Sequence, residues 1–293
     1  MVEIKIENNS YEIPTEWKDI TLRYWCGLYS IISQYNRKDE EGNVIEAEHS
    51  EVELLKMNRD IFMYLTGLSQ NEMNRLDVDS VNEAVATFSS LLEEYKPKGI
   101  EKFELDGEEY LFPKEFLRRN TFGDYIESTH LDSTIEIMKH GRFDVLPEQM
   151  AILCRRADEE YDDDAIPAKT EKFKELTMDF VWEFSFFFDN AKRKINSDFP
   201  NVFGENRRGS GGGKGRVSTV GLYNKFIKPY GWLNSLYMVA EKGIFRIEGY
   251  NDIDSVKETN LYKILTYLSW NTAKNDYEIA VQEKIHNKNN ITP

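Results

Sequence analysis

Apolar and polar residues alternate in two short stretches of the chain. Ile4, Ile6, Tyr11 and Ile13 alternate around Asn8-Asn9, and Phe103, Leu105, Tyr110 and Phe112 alternate around Asp106-Gly107. Alternation places such side chains on one face of a pleated strand, and Asn, Asp and Gly tolerate the positive φ of a tight turn. Each stretch predicts a β-hairpin closed by a proline, Pro14 or Pro113, because proline cannot donate a ladder hydrogen bond. Beyond each proline the period changes to that of a helix. Thr21 is an N-cap, and Leu22, Trp25, Cys26, Leu28, Tyr29 and Ile32 recur at helical spacing. Residues 36–50 are charged and predict an exposed loop. A second helix is predicted from about Glu51 to Thr66, stopped by Gly67, and Ser69 with Glu72 makes a capping box for a short third. Val81, Val85, Phe88 and Leu92 mark a fourth that ends before Pro97.

The pattern then repeats. Tyr11, Pro14 and Trp17 correspond to Tyr110, Pro113 and Phe116 at an offset of 99, while Thr21-Leu22 corresponds to Thr121-Phe122 at 100. The offset of 100 persists: Asp79-Ser-Val81-Asn-Glu83 faces Asp179-Phe-Val181-Trp-Glu183, and Phe88 faces Phe188. Constant spacing predicts two copies of one hairpin-plus-helices module, whose hairpin edges are available to pair with each other. In the second copy, helices are expected near 122–140 and 147–160. The acidic run Asp158 to Asp164 follows, and Pro167 opens a long helix or helix pair. Phe180 to Phe188 is apolar around most of the helix circumference, so it is buried on several sides or held by a partner. Phe180, Trp182, Phe184 and Phe187 are the candidate partner-binding residues. That helix is expected to end at Lys192-Arg-Lys194. Arg207 to Arg216 is Gly-rich and basic, the composition of a linker. A helical unit follows, with one helix from Trp232 to near Gly243, another from Leu261 toward Ile285, and a frayed polar end. The expected fold is mostly α with two short β-hairpins, an α+β chain: residues 1–97 first copy, 98–199 second copy, 200–216 linker, 217–293 C-terminal helical unit.

Composition narrows the function more than it assigns one. A chain of 293 residues with 40% hydrophobic and 13% aromatic content can bury a real core. Net charge of −15, from 52 acidic and 37 basic residues, disfavours a nonspecific nucleic-acid binder, which must neutralise phosphates. Residues 1–20 do not form a secretory signal, and no apolar run reaches membrane-span length. Cys26 and Cys154 read as buried free thiols. The Gly-rich segment fails as a phosphate loop, since Gly209 stands five residues before Lys214 and Gly215 follows that lysine. Arg207, Arg208, Lys214 and Arg216 remain a local basic patch. The acidic run lacks the ligand spacing and central Gly of a calcium loop. His49, His130, His140 and His286 show no metal spacing, and no nucleophile motif occurs. No catalytic, cofactor or metal residue is assigned, and the expectation is a non-enzyme without cofactor. Trp25, Trp182, Trp232 and Trp270 are read as core.

The phrase Tyr11-Glu-Ile-Pro-Thr-Glu-Trp-Lys-Asp-Ile-Thr-Leu resembles tail assembly chaperone-like proteins of tailed bacteriophages, as does Tyr64-Leu-Thr-Gly-Leu-Ser. Tyr230-Gly-Trp-Leu, Leu236 to Ala240, Thr259-Asn-Leu-Tyr262 and Leu265 to Trp270 are similar to helical segments of the same proteins. The shared positions are those a fold needs, so the resemblance transfers no functional residue. It implies a non-enzymatic protein in the cytoplasm of the bacterial host during assembly. There it would bind phage tail proteins, tail tube or tape-measure, before they polymerise. The alternative is a structural component of the virion, an internal or connector protein.

Overall fold

The computed structural model describes residues 1–6, 9–38, 44–45, 49–89, 95–130, 143–203 and 230–289. The chain is mostly helical, and among the described residues the antiparallel strands form two-stranded sheets. It divides into two compact units, Met1–Phe112 with Leu131–Asp189, and Pro113–His130 with Asn190–Pro293.

In the first unit, β1 (Val2–Ile6) pairs with β2 (Asn9–Ile13) from Val2↔Ile13 to Ile6↔Asn9, and Ile6 and Ile13 are buried. Thr21 Oγ1 accepts from the Tyr24 N–H and starts α1 (Leu22–Ile32), which buries Leu22, Trp25 and Leu28. Capping boxes Ser50/Glu53 and Ser69/Glu72 start α2 (Glu51–Thr66) and α3 (Gln70–Met73); Gly67 ends α2 at a φ of 70°. Helix α4 (Val78–Ser89) packs on α2. The second hairpin, β5 (Lys102–Leu105) with β6 (Glu108–Leu111), turns through Asp106 and Gly107 at φ 53° and 77°. Helices α6 (Leu146–Leu153), α7 (Ile166–Phe173) and α8 (Met178–Asp198) follow, with α8 in this unit up to Asp189. A ring cluster ties these elements together. Trp17 lies 5.1 Å from Trp25 and 5.4 Å from Trp182, and Phe143 lies 5.0 Å from Tyr29.

The second unit contains α5 (Phe122–His130), the end of α8, α9 (Pro200–Phe203), α10 (Trp232–Glu241), α11 (Asp252–Lys257) and α12 (Leu261–Asn289). Phe122, Tyr125 and Phe203 converge on the Trp232 ring at 5.9, 5.4 and 5.4 Å. Leu236, Val239, Val256, Leu261, Ile264, Leu265 and Leu268 complete a buried apolar set.

Burial follows the hundred-residue offset. Leu22, Trp25 and Leu28 are buried, as are Phe122, Tyr125 and Ser128. Val81, Ala84, Val85 and Phe88 are buried on α4, and Val181, Phe184, Ser185 and Phe188 on α8. The starts of helices are also wired alike. Thr21 makes an isolated antiparallel bridge to Thr177 in the first unit, and Thr121 makes one to Asn260 in the second.

Several expectations are corrected. The segment read as a loop at 36–50 contains a third ladder, β3 (Arg37–Lys38) with β4 (Val44–Ile45). The hairpins do not pair with each other, and β6 reaches instead to Arg155 through the Leu111↔Arg155 bridge. That bridge is why the helix expected to run to 160 stops at Leu153: residue 155 is extended to meet the strand. Helix α8 continues past Lys192-Arg-Lys194 to Asp198, because Ile195 is buried and Lys194 pairs with Asp198. Residues 200–203, assigned to the linker, form α9, and the polar end expected to fray is helical to Asn289. The Gly-rich segment with Arg207, Arg208, Lys214 and Arg216, and positions 131–140 of the helix expected at 122–140, lie outside the described residues.

Candidate partner-binding surfaces

The aromatic band of α8 is built into the core of the first unit. Phe184 is fully buried, Trp182 is 8% exposed, and Phe180 and Phe187 are half-buried. The second hairpin covers one side of the band: Phe112 lies 5.9 Å from Phe184 and 6.0 Å from Phe187, and Phe103 lies 5.9 Å from Phe180. Trp182 meets Trp17, Phe143 and Tyr95 on the other. The four candidates therefore do not gather into one open face, and only Phe180 and Phe187 retain appreciable surface.

Glu183, which interrupts the apolar run, is 3% exposed and acts as a latch. Its carboxylate accepts from the Tyr95 hydroxyl at 2.8 Å, from the Gly99 and Ile100 N–H groups at 3.0 and 3.2 Å, and from the Lys98 N–H. Burial, then the Glu183 charge, raises the Tyr95 phenol above its ordinary range. The latch fixes the strand-entry segment 95–100 against α8.

The second hairpin carries a charged clamp. Glu108 accepts from Tyr110 at 2.9 Å and from Lys172 and Arg156, and these partners pull its carboxyl down to about 2. Lys169 is 9% exposed, pairs with Glu159 at 2.6 Å, and lies 5.5 and 5.6 Å from the Tyr110 and Phe173 ring centroids. Burial lowers its pKa despite that carboxylate. Glu159 thus belongs to a clamp rather than to a freely solvated acidic loop. Burial pushes the Cys26 thiol up to about 11 and raises that of Cys154 as well, so both are poor nucleophiles. Among the described residues no His, Cys, Asp and Glu cluster has metal-holding geometry, and no helix is long and apolar enough to cross a membrane.

Open apolar surface lies elsewhere. Helix α12 is 29 residues long, and its first turns carry the buried Leu261, Ile264, Leu265 and Leu268. Beyond them Trp270, Tyr277 and Ile285 are 56%, 70% and 56% exposed, and Val281 is half-buried. At 100° per residue these four fall on one face of the helix. Trp270, read as core from its spacing, is therefore a surface residue. The register that buries Leu261, Ile264, Leu265 and Leu268 points it away from α5 and α9, the helices that α12 packs against. The stripe was legible as apolar residues recurring seven, eleven and fifteen positions after Trp270. A second opening, a cavity of about 350 Å³, lies at the start of α4 in the first unit, between α2, α3 and α4.

No protein-family model, no curated protein and no solved structure matches this chain.

Proposed function

We propose that the protein is a non-enzymatic assembly factor of a tailed bacteriophage that binds a tail subunit, tail tube or tape-measure protein, before it polymerises. The observation that carries this reading is the exposed stripe of Trp270, Tyr277, Val281 and Ile285 on a helix anchored at its other end. An amphipathic helix of this kind lays its apolar face into a groove on a partner. Assembly subunits present apolar surface of that sort until they join the polymer, and a strongly negative chain keeps the complex soluble. The phage class of the partner comes from the resemblance of the hairpin-to-helix phrases.

The test is co-expression with the neighbouring tail tube and tape-measure proteins. The expected outcome is that one of them becomes soluble with the protein bound, and that Tyr277→Asp abolishes the rescue while leaving the melting temperature unchanged. Failure to bind either, together with stoichiometric recovery from mature particles, would replace this reading with that of a virion component.

A further inference from the structure

The net charge of −15 is divided unevenly along the chain. Met1–Phe112 with Leu131–Asp189 holds 39 acidic and 18 basic residues, whereas Pro113–His130 with Asn190–Pro293 holds 13 acidic and 19 basic ones. The exposed stripe of α12 therefore belongs to the basic unit of an acidic protein. Charge is segregated around α12 itself as well. At 100° per residue, Lys263, Lys274 and Lys284 fall in the same arc of about 100° as Trp270, Tyr277, Val281 and Ile285. Asp276 and Glu283 turn to the opposite side. Glu278 stands at the edge of the arc, where Lys274 pairs with it at 3.7 Å; the same ammonium lies 5.5 Å from the Trp270 ring centroid. Lys263 and Lys284 are exposed and make no ion pair among the described residues. Lys263 lies roughly 10 Å along the axis from Trp270, and Lys284 stands beside Ile285, so the two cations bracket the stripe.

This arrangement discriminates among occupants. Trp270, Tyr277 and Ile285 are each more than half exposed and both unpaired lysines are exposed, so the chain leaves its own stripe open. Pairing the stripes of two copies would bring their lysines together with no carboxylate in the arc free to meet them, and like charges at a contact oppose it. A helix that lies on an anionic membrane carries its lysines on the side away from its aromatic residues. In α12 the two share one arc, and the far side carries Asp276 and Glu283, which an anionic surface repels. What fits the stripe is a protein surface that is apolar along its floor and acidic at its edges.

We propose that the tail subunit receives the stripe in an apolar groove rimmed with carboxylates, which meet Lys263 and Lys284. The proposal rests on the assembly-factor reading above and adds to it the chemistry of the client. Trp270, Tyr277 and Ile285 fill the floor and set how long the complex lasts, while the lysines at either end steer the encounter and fix the register.

Association and dissociation rates of the full chain with whichever tail protein it renders soluble, tail tube or tape-measure, test this at low and high salt. Wild-type association is expected to slow on the order of tenfold as salt rises, with dissociation little changed. The double variant Lys263→Glu, Lys284→Glu should associate about tenfold more slowly than wild type at low salt and should speed up as salt rises. Tyr277→Asp should lose binding at every salt concentration. If the double reversal alters the circular dichroism, Lys263→Ala with Lys284→Ala keeps helix-forming residues at both places and should leave association insensitive to salt. A subunit lost by Tyr277→Asp but bound normally by both lysine variants would overturn the acidic groove and leave the assembly-factor reading standing. A wild type that binds neither tail protein would overturn both. Self-association of the wild type in sedimentation velocity, abolished by Tyr277→Asp, would put a second copy on the stripe and overturn the proposal. So would binding of a single-stranded oligonucleotide or of phosphatidylglycerol vesicles that the lysine variants lose, since the ligand would then be a polyanion.

Discussion

Helices α4 and α8 bury the same register and use it differently. Val81, Ala84, Val85 and Phe88 correspond to Val181, Phe184, Ser185 and Phe188, so period alone decides which face turns inward. Volume and neighbours decide the rest. Where α4 has Ala84 and the exposed Glu83, α8 has Phe184 under the second hairpin and the latched Glu183. The junctions that lead from hairpin to helix differ in the same sense. Trp17–Asp19 forms a right-handed 3-10 turn, whereas the second junction is one residue longer. That extra length is taken up by Glu115, Phe116 and Leu117 at φ of 54°, 53° and 65°, a left-handed turn of non-glycine residues. The hydrophobic register is thus common to the two helices, while the differences sit in side-chain volume and in a single added residue of the junction.

The largest expected break in the comparison is at the paired positions 84 and 184. Phe184→Ala should cost about 3–5 kcal/mol in a urea unfolding experiment, and Ala84→Gly only about 1 kcal/mol. Equal losses would show that the two helices carry equal loads. Next comes the latch. Glu183→Ala leaves the Lys98, Gly99 and Ile100 N–H groups without their acceptor and should cost about 2–3 kcal/mol. Glu83→Ala, at the exposed counterpart, should stay within about 0.5 kcal/mol of wild type.

The junctions should respond with opposite signs. Glu115→Gly relieves a left-handed residue and is expected to raise stability by about 1 kcal/mol, less any loss from its exposed ion pair with Arg119. Glu16→Gly, at a φ of −132°, relieves nothing and should lower stability by a similar amount through backbone entropy. Thermal melts of the two variants decide it. The smallest effect is acid dependence. Glu108 titrates at about 2 when folded, below its unfolded value of about 4.3, so its contribution is complete above the unfolded value and disappears as pH falls toward 2. Glu108→Gln should therefore melt lower than wild type at neutral pH and converge with it near pH 2. Asn9, which does not titrate, holds the matching place in the first hairpin.

Local features were legible because their causes are local. The hairpin turn at Asp106-Gly107, the Thr21 cap, both Ser capping boxes and the Gly67 stop each depend on a few adjacent residues. What escaped was non-local. A single bridge between Thr21 and Thr177 has no periodicity to betray it, and the same is true of Leu111 with Arg155. Glu183 looked like an interruption of an apolar run, since the amides it binds lie more than eighty residues earlier. The band of Phe180, Trp182, Phe184 and Phe187 was visible as apolar on all sides, but the sequence could not say that the second hairpin covers much of it. Trp270 obeyed helical spacing and still faces solvent, because the register that buries Leu261, Ile264, Leu265 and Leu268 turns it away from α5 and α9.

The bridge between Thr21 and Thr177 also has a consequence for synthesis. Arg23 and its partner Glu175 are 152 residues apart, and the Leu176 carbonyl that accepts from the Leu22 N–H lies in the same distant stretch. A ribosome adds about 5–20 residues per second, so the start of α1 emerges on the order of ten seconds before its partners at 174–178 exist. During that interval the Leu22 N–H lacks its native acceptor, and the first unit can close only after Met178 has left the exit tunnel.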